Sequence, residues 1–222
     1  MKIKAVIFDF DGLILDTESV WFECYQEVLS RYEMELTLER FAPSIGTHGN
    51  DFIDYVEQTI GKPGIGRIID QEVSVLHQQK MQLIEAREGV ADYLHTAREM
   101  GLRIGLATSS NRAWIERFLG RLGLREYFEA IKTSDDVSAV KPDPELYLRV
   151  TDELGVKPEE ALAFEDSLNG LRAAKAAGLH CTIVPNPVTS LLPFEHHDLR
   201  LDSMAEMPLG AVLERIIIQG RL

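Results

Sequence analysis

The sequence predicts an α/β fold, a parallel sheet with helices on both faces and an all-helical insertion after its first strand. Three observations predict it. Short apolar runs alternate with segments of helical period, the pattern of consecutive strand–helix–strand units. Glycines recur where the helical patterns stop. The alternation fails once, over a long stretch directly after the first apolar run.

Residues 4–10, 103–108, 130–134, 161–164 and 181–184 read as strands. Between them, Val90, Tyr93, Leu94, Ala97 and Met100 make one apolar helix face, and Ile115, Phe118, Leu119 and Leu122 a second. Leu146, Tyr147, Val150 and Leu154 make a third, followed by Leu168, Leu171 and Ala174. Gly101, Gly123, Gly155 and Gly178 stand where these helices should end. From about residue 17 to 85 no strand pattern occurs. Val20, Trp21, Cys24, Tyr25, Val28, Leu29 and Tyr32 share a helix face, Phe52, Ile53, Val56 and Ile60 another, and residues 65–83 form a longer helical pattern. Roughly seventy residues is too long for an ordinary connection. The expected organisation is a Rossmann-like core of residues 1–16 and 87–222 with a helical cap at 17–86.

At 222 residues and 45% hydrophobic content the chain can bury a substantial core. It has no apolar run approaching membrane-spanning length and no early basic segment leading into an apolar stretch. Cys24 and Cys181 lie far apart without metal-type spacing. The expectation is a cytoplasmic protein with packed, reduced thiols, without membrane association and monomeric. Its formal charge of −13 repels a phosphate backbone, which argues against nucleic acid as a partner. A small anionic substrate stays compatible, because a metal and a few cations reverse the local sign.

The first strand runs into "FDFDGLILDTE" and so ends on Asp9, Asp11 and, farther on, Asp16. Carboxylates grouped beside a core are costly unless a cation compensates them, so the stretch is either a metal site or a solvated loop. In an open parallel sheet, ligands sit beyond the carboxyl ends of the strands. The other strands end there on Thr108-Ser109-Ser110, on the segment reaching Lys141-Pro142, and on Glu165-Asp166-Ser167. A solvated loop does not require that coincidence. Asp9 and Asp11, two apart on extended backbone, can face the same side, one attacking as a carboxylate and the other moving a proton. Asp166 adds an oxygen of the kind Mg²⁺ takes from few carboxylates plus a substrate phosphate. Thr108 can donate to a phosphoryl oxygen, and Lys141 can neutralise its charge.

At these residues the chain resembles the haloacid dehalogenase superfamily, in the branch of β-phosphoglucomutase and phosphoglycolate phosphatase-like enzymes. Four motifs match in order: Asp9-Phe10-Asp11-Gly12, Thr108, Lys141-Pro142, and the run from Glu165 to Gly170. The helical insertion matches the family's cap in place and size. The resemblance implies that Asp9 is a nucleophile forming an aspartyl-phosphate, while Asp11 protonates the leaving oxygen and then activates water. It implies Mg²⁺ held by the Asp9 carboxylate, the Asp11 carbonyl and Asp166, with Glu165 either a ligand or behind one. Thr108, Lys141 and the Ser109 backbone would bind the phosphoryl group.

The motifs leave several reactions open. The β-phosphoglucomutase pattern has a histidine where this chain has Trp21 and an arginine near Gly49, whereas Lys80-Met81 resembles that enzyme's cap lysine. Losing two cationic groups weakens recognition of a second phosphate, which favours hydrolysis of a small phosphorylated sugar, polyol or hydroxy acid. A mutase is the alternative. Dehalogenases lack the aspartate kept here as Asp11, and nothing signals a phosphonatase's cap lysine. A catalytically idle binding protein is the reading from another class. In the cap, Lys80 and His48 are candidate substrate contacts, although the segment holding His48 reads equally as a turn. Asp16 reads as a hinge restraint, and His196-His197 as a surface loop.

Overall fold

Ala5-Val6-Ile7-Phe8 is apolar on both faces, as a central strand of a parallel sheet must be. All four residues are fully buried as β1 (Ala5–Phe8) in the computed structural model, which describes residues 2–41 and 51–219. β2 (Arg103–Ala107) and β4 (Ala161–Glu165) flank it in parallel, placing Phe8 beside Leu106 and Phe164. With β3 (Ala130–Lys132), β5 (His180–Ile183) and β6 (Leu199–Arg200), the order across the sheet is β3-β2-β1-β4-β5-β6. The chain winds outward from β1 in both directions. The switch point therefore lies at the carboxyl end of β1, where a crevice opens between the loops.

Alternate residues of β1 face different layers. Val6 and Phe8 join an apolar cluster with α5 (Val90–Glu99), α6 (Arg112–Leu122) and α9 (Leu209–Gln219). Ala5 and Ile7 pack with α7 (Glu145–Leu154) and α8 (Leu168–Ala176) on the other face. Gly101, Gly123, Gly155 and Gly178 all have positive φ just past their helices, as expected. Cys24 and Cys181 are buried free thiols.

Between β1 and α5 the chain forms α1 (Thr17–Ser30), α2 (Leu38–Phe41), α3 (Asp51–Ile60) and α4 (Ile65–Met81). These helices bury a third cluster, centred on Cys24, Val28, Leu29, Ile69 and Val73. The described part of the insertion is thus helical and, joined by Val188 from beyond β5, has a core of its own. Asp16 caps α1 by accepting a hydrogen bond from the Ser19 N–H at 3.1 Å.

Strand ends differ from the sequence reading by one or two residues. Asp9, Phe10 and Thr108 lie beyond the regular strands, where side chains leave the pleat. The reading also missed β6, whose two residues carry no periodicity, and the single turn of α2.

Candidate active site

The loop after β1 is a tight turn in which the Gly12 N–H donates to the Leu15 carbonyl at 2.6 Å. Gly12 has φ of +83°, and a Cβ there would stand 2.0 Å from Asp166 Oδ2. Glycine is required on both counts. Arg87, on the return from the insertion, fastens this turn. Its guanidinium donates to the Gly12 carbonyl (2.6 Å), the Val184 carbonyl (3.0 Å) and the Pro185 carbonyl (2.7 Å). Arg87→Ala should destabilise the protein by about 2–4 kcal/mol, because three buried carbonyls lose a charged donor. Arg87→Lys, which cannot fork, should fall between the two in urea denaturation.

Lys141 is the centre of the site. Its ammonium donates to Asp9 Oδ1 (2.5 Å), Glu165 Oε1 (2.7 Å) and the Ala107 carbonyl (2.7 Å), with its side chain only 4% exposed. Three N–H groups thus meet three acceptors from the ends of β1, β4 and β2. Glu165 is fully buried. Its Oε1 also accepts from the Tyr147 hydroxyl at 2.6 Å, and its Oε2 faces the Asp166 N–H and the Ser167 hydroxyl. A Cβ on Gly170 would lie 1.9 Å from this carboxyl group, so α8 approaches it only through glycine. Asp166 Oδ2 accepts from the Asn186 amide at 2.8 Å, while its Oδ1 is buried without a hydrogen-bond partner.

One oxygen from each of Asp9, Glu165 and Asp166 lies within 4.8 Å of the others, close enough for one ion. Lys141 supplies one positive charge inside this cluster and Arg87 a second beside Asp166, against three carboxyl groups and Asp11. Burial pushes Asp9 up to about 7, against the pull of Lys141, and pushes Asp166 well above the usual carboxylate range, aided by Asp9 and Glu165. Lys141 stays protonated: burial works against its charge, but attraction to Asp9 and Glu165 raises it. The donor set is oxygen-rich, buried and short of positive charge, which fits a hard divalent cation.

Asp11 stands apart from that cluster. Its Oδ2 accepts from the Ser110 hydroxyl at 2.6 Å and its Oδ1 from the Trp114 indole N–H at 3.0 Å. Burial raises it, and those two hydrogen bonds oppose the rise. Asp11 opens on a cleft of about 390 Å³ between the sheet edge and the insertion. Ser110 and Trp114 line it from the core side; Thr17, Glu18 and Trp21 of α1, with Ser74, His77 and Gln78 of α4, line the other. Burial and the charges of Asp11, Asp16 and Asp9 push Glu18 up to about 7.

Of the residues expected from sequence, Asp9, Lys141, Glu165 and Asp166 are in one buried cluster, with Asp11 adjacent. Thr108 is buried, and its hydroxyl accepts from the Ser110 N–H at 3.1 Å; Asn111 caps α6. Ser109 is exposed. Lys80 pairs with Glu23 and Glu27 at 3.2 and 3.6 Å and is not among the residues lining the cleft. His48 lies outside the described residues. Sequence reasoning missed Ser110, Trp114, Tyr147, Asn186, Arg87 and His77. Ser110 and Asn186 had a signal, their places beyond the carboxyl ends of β2 and β5.

Comparison with known proteins agrees with this fold. Residues 6–184 match the haloacid dehalogenase-like hydrolases. The Bacillus subtilis protein "Putative phosphatase YhcW" is 48% identical over 98% of this chain and 100% of its own length. Hexitol phosphatase B of Escherichia coli K12 is 31% identical over 93% of this chain and 95% of its own. A solved hydrolase of the same family from Deinococcus radiodurans, with bound phosphate and sodium, superposes with a TM-score of 0.79 at 25% identity, covering 96% of each chain. With the family model covering most of the chain and a relative 48% identical over its full length, the chain belongs to the haloacid dehalogenase-like hydrolases.

Proposed function

We propose that the protein is a Mg²⁺-dependent phosphatase that hydrolyses a small phosphorylated metabolite, a sugar, polyol or hydroxy-acid monophosphate, through an aspartyl-phosphate on Asp9. The observation that carries this reading is the division of labour between two carboxylates at the end of β1. Asp9 is bound to a buried ammonium and faces the acidic cluster, whereas Asp11 faces the cleft with both oxygens held by neutral donors.

Asp9 attacks phosphorus, and the bond to the leaving oxygen breaks as that oxygen takes a proton from Asp11. Asp11, now a carboxylate, takes a proton from water as that water attacks the phosphoryl-enzyme and frees Asp9. Splitting hydrolysis in two replaces one difficult displacement by two easier ones. Lys141 holds Asp9 with one oxygen engaged and places positive charge beside the transferring group. Thr108 and the Ser109 backbone would receive the remaining phosphoryl oxygens. Asp9, the Asp11 carbonyl and Asp166, with its partnerless Oδ1, would hold Mg²⁺, which when bound neutralises phosphoryl charge. Glu165, with both oxygens occupied, would act behind them by fixing Lys141.

The cleft supports a small leaving group that carries hydroxyls. It offers the Trp21 and Trp114 rings, Ser74 and Gln78, with Glu18 and no lysine or arginine among its described lining residues. A second phosphate would find no cation among those described residues. The hexitol phosphatase relative agrees with a polyol or sugar. The cap lysine does not support the mutase, because Lys80 is held by Glu23 and Glu27.

The test is phosphate release from a panel of phosphorylated metabolites with Mg²⁺, after chelation, and after Mg²⁺ is restored. Release that follows the metal and is greatest for sugar or polyol monophosphates is expected. Isomerisation without release would replace hydrolysis by a mutase, and no turnover by a binding role.

A further inference from the structure

Trp114 lies in the first turn of α6, where its backbone N–H donates to the Asn111 cap at 2.9 Å. Its ring is fixed on two sides. Phe118 packs at 4.5 Å between centroids, and on the insertion side the ring of His77 lies nearly parallel, at 6.3 Å and 12°. His77 itself stacks on Trp21 at 3.7 Å and 11°. Three rings from α1, α4 and α6 thus form a column that crosses from insertion to core beside the cleft. His77 is buried, and burial lowers it to about 4, so the column contains a neutral imidazole near pH 7. A ring so placed has one direction in which to send its N–H, and that direction ends on Asp11 Oδ1.

A buried tryptophan commonly finds some acceptor for its N–H, so a packing role alone would explain the ring. The identity of the acceptor says more. An indole N–H only donates, whereas a serine hydroxyl both donates and accepts. When Asp11 carries a proton, Oδ1 stays the acceptor for Trp114 and the proton belongs on Oδ2, beside Ser110 Oγ. When Asp11 has given its proton away, the Ser110 hydroxyl can turn and donate to Oδ2. The pair serves both forms of Asp11 and keeps the proton on one oxygen.

We propose that Trp114 is a positioning residue for leaving-group protonation: its indole N–H, aimed by the Trp21–His77–Trp114 column, fixes Asp11 so that Oδ2 delivers the proton. This rests on the phosphatase reading. As the Asp9–phosphorus bond forms and the phosphorus–leaving-oxygen bond breaks, the Oδ2 proton passes to that oxygen and its electron pair stays on Asp11.

The test compares leaving groups. An alkyl phosphate needs a proton on its departing alkoxide, whereas p-nitrophenyl phosphate leaves as a stabilised phenolate without one. The ratio kcat/KM reports events through the first irreversible step, so it isolates this transfer from later hydrolysis of the phosphoryl-enzyme. Trp114→Phe keeps an aromatic ring and removes the N–H. It should lower kcat/KM about tenfold or more for the sugar or polyol monophosphate, mostly through kcat, and less than about threefold for p-nitrophenyl phosphate. In an Asp11→Ala background the same change should leave the ratio between the two substrates unmoved. If phenylalanine loosens the column, 3-benzothienylalanine at position 114, with sulfur in place of the N–H and the ring shape kept, gives the same comparison. Equal losses on both substrates, or none, would overturn the assignment while leaving the phosphatase reading intact. Wild-type protein without Mg²⁺-dependent release would overturn both.

Discussion

Asp9→Asn should lower kcat by at least about a thousandfold while leaving the fold intact. Asparagine has the size and shape of aspartate, and its amide oxygen can accept the Lys141 hydrogen bond that Asp9 Oδ1 now receives at 2.5 Å. It is a far weaker nucleophile towards phosphorus, so the covalent step is lost rather than slowed. The stability of the variant carries a second, independent sign. Burial raises the folded-state Asp9 carboxyl from 3.8 to about 7, so its ionisation makes the metal-free fold progressively less stable as pH rises through that interval. Asparagine has no such ionisation. Chelated Asp9→Asn protein should therefore melt no lower than chelated wild type at pH 8, and the comparison should move towards wild type at pH 4. Phosphate release above a hundredth of wild type would refute the nucleophile assignment.

Lys141→Met should damage both stability and turnover. The ammonium is the shared partner of Asp9 and Glu165, both nearly inaccessible to water, and a thioether leaves their negative charges facing one another. Removing one partner of a buried ionic cluster costs about 3–5 kcal/mol, because the uncompensated charge remains. The loss should be larger at pH 8 than at pH 5.5, since protonating Asp9 relieves the repulsion. Turnover should fall at least about a hundredfold, with the phosphoryl group deprived of a fixed cation. Lys141→Arg separates charge from geometry. A planar fork cannot match three acceptors arranged around one nitrogen, so it should recover part of the stability and little of the activity. Urea titrations at the two pH values and phosphate release with Mg²⁺ check each part.

How much was legible from sequence depended on the distance over which each feature is decided. The strands were readable because both faces of β1 are apolar, and the buried carboxylates because they follow strands at the carboxyl edge. Asp9, Lys141 and Glu165 could be expected together once the alternation implied a parallel sheet. Arg87 could not, because its task is to join the carbonyls of residues 12, 184 and 185, and nothing local marks an arginine for that. Tyr147 has the same character, since it finds Glu165 across a layer, whereas Asn186 meets Asp166 along the sheet's carboxyl edge, one strand over. His77 and Trp21 lie on helix faces whose period says only that they are covered. The difference between core and cleft wall appears when α1, α4 and α6 converge. Lys80 shows the converse, since a cationic position in the cap suggested substrate and the fold gives it two glutamates.

The aromatic column has a practical side. The chain contains two tryptophans, Trp21 and Trp114, and both line the same cleft, one on each side of His77. Tryptophan fluorescence of this protein, excited at the red edge where its six tyrosines do not absorb, therefore originates entirely at the boundary between insertion and core. Its emission maximum and quenching report the wetness of that boundary. Occupancy of the cleft by an unreactive substrate analogue, or a shift of the helical insertion against the sheet edge, becomes an optical signal of the unlabelled enzyme. The arrangement that shapes the wall of the cleft also makes it observable in real time.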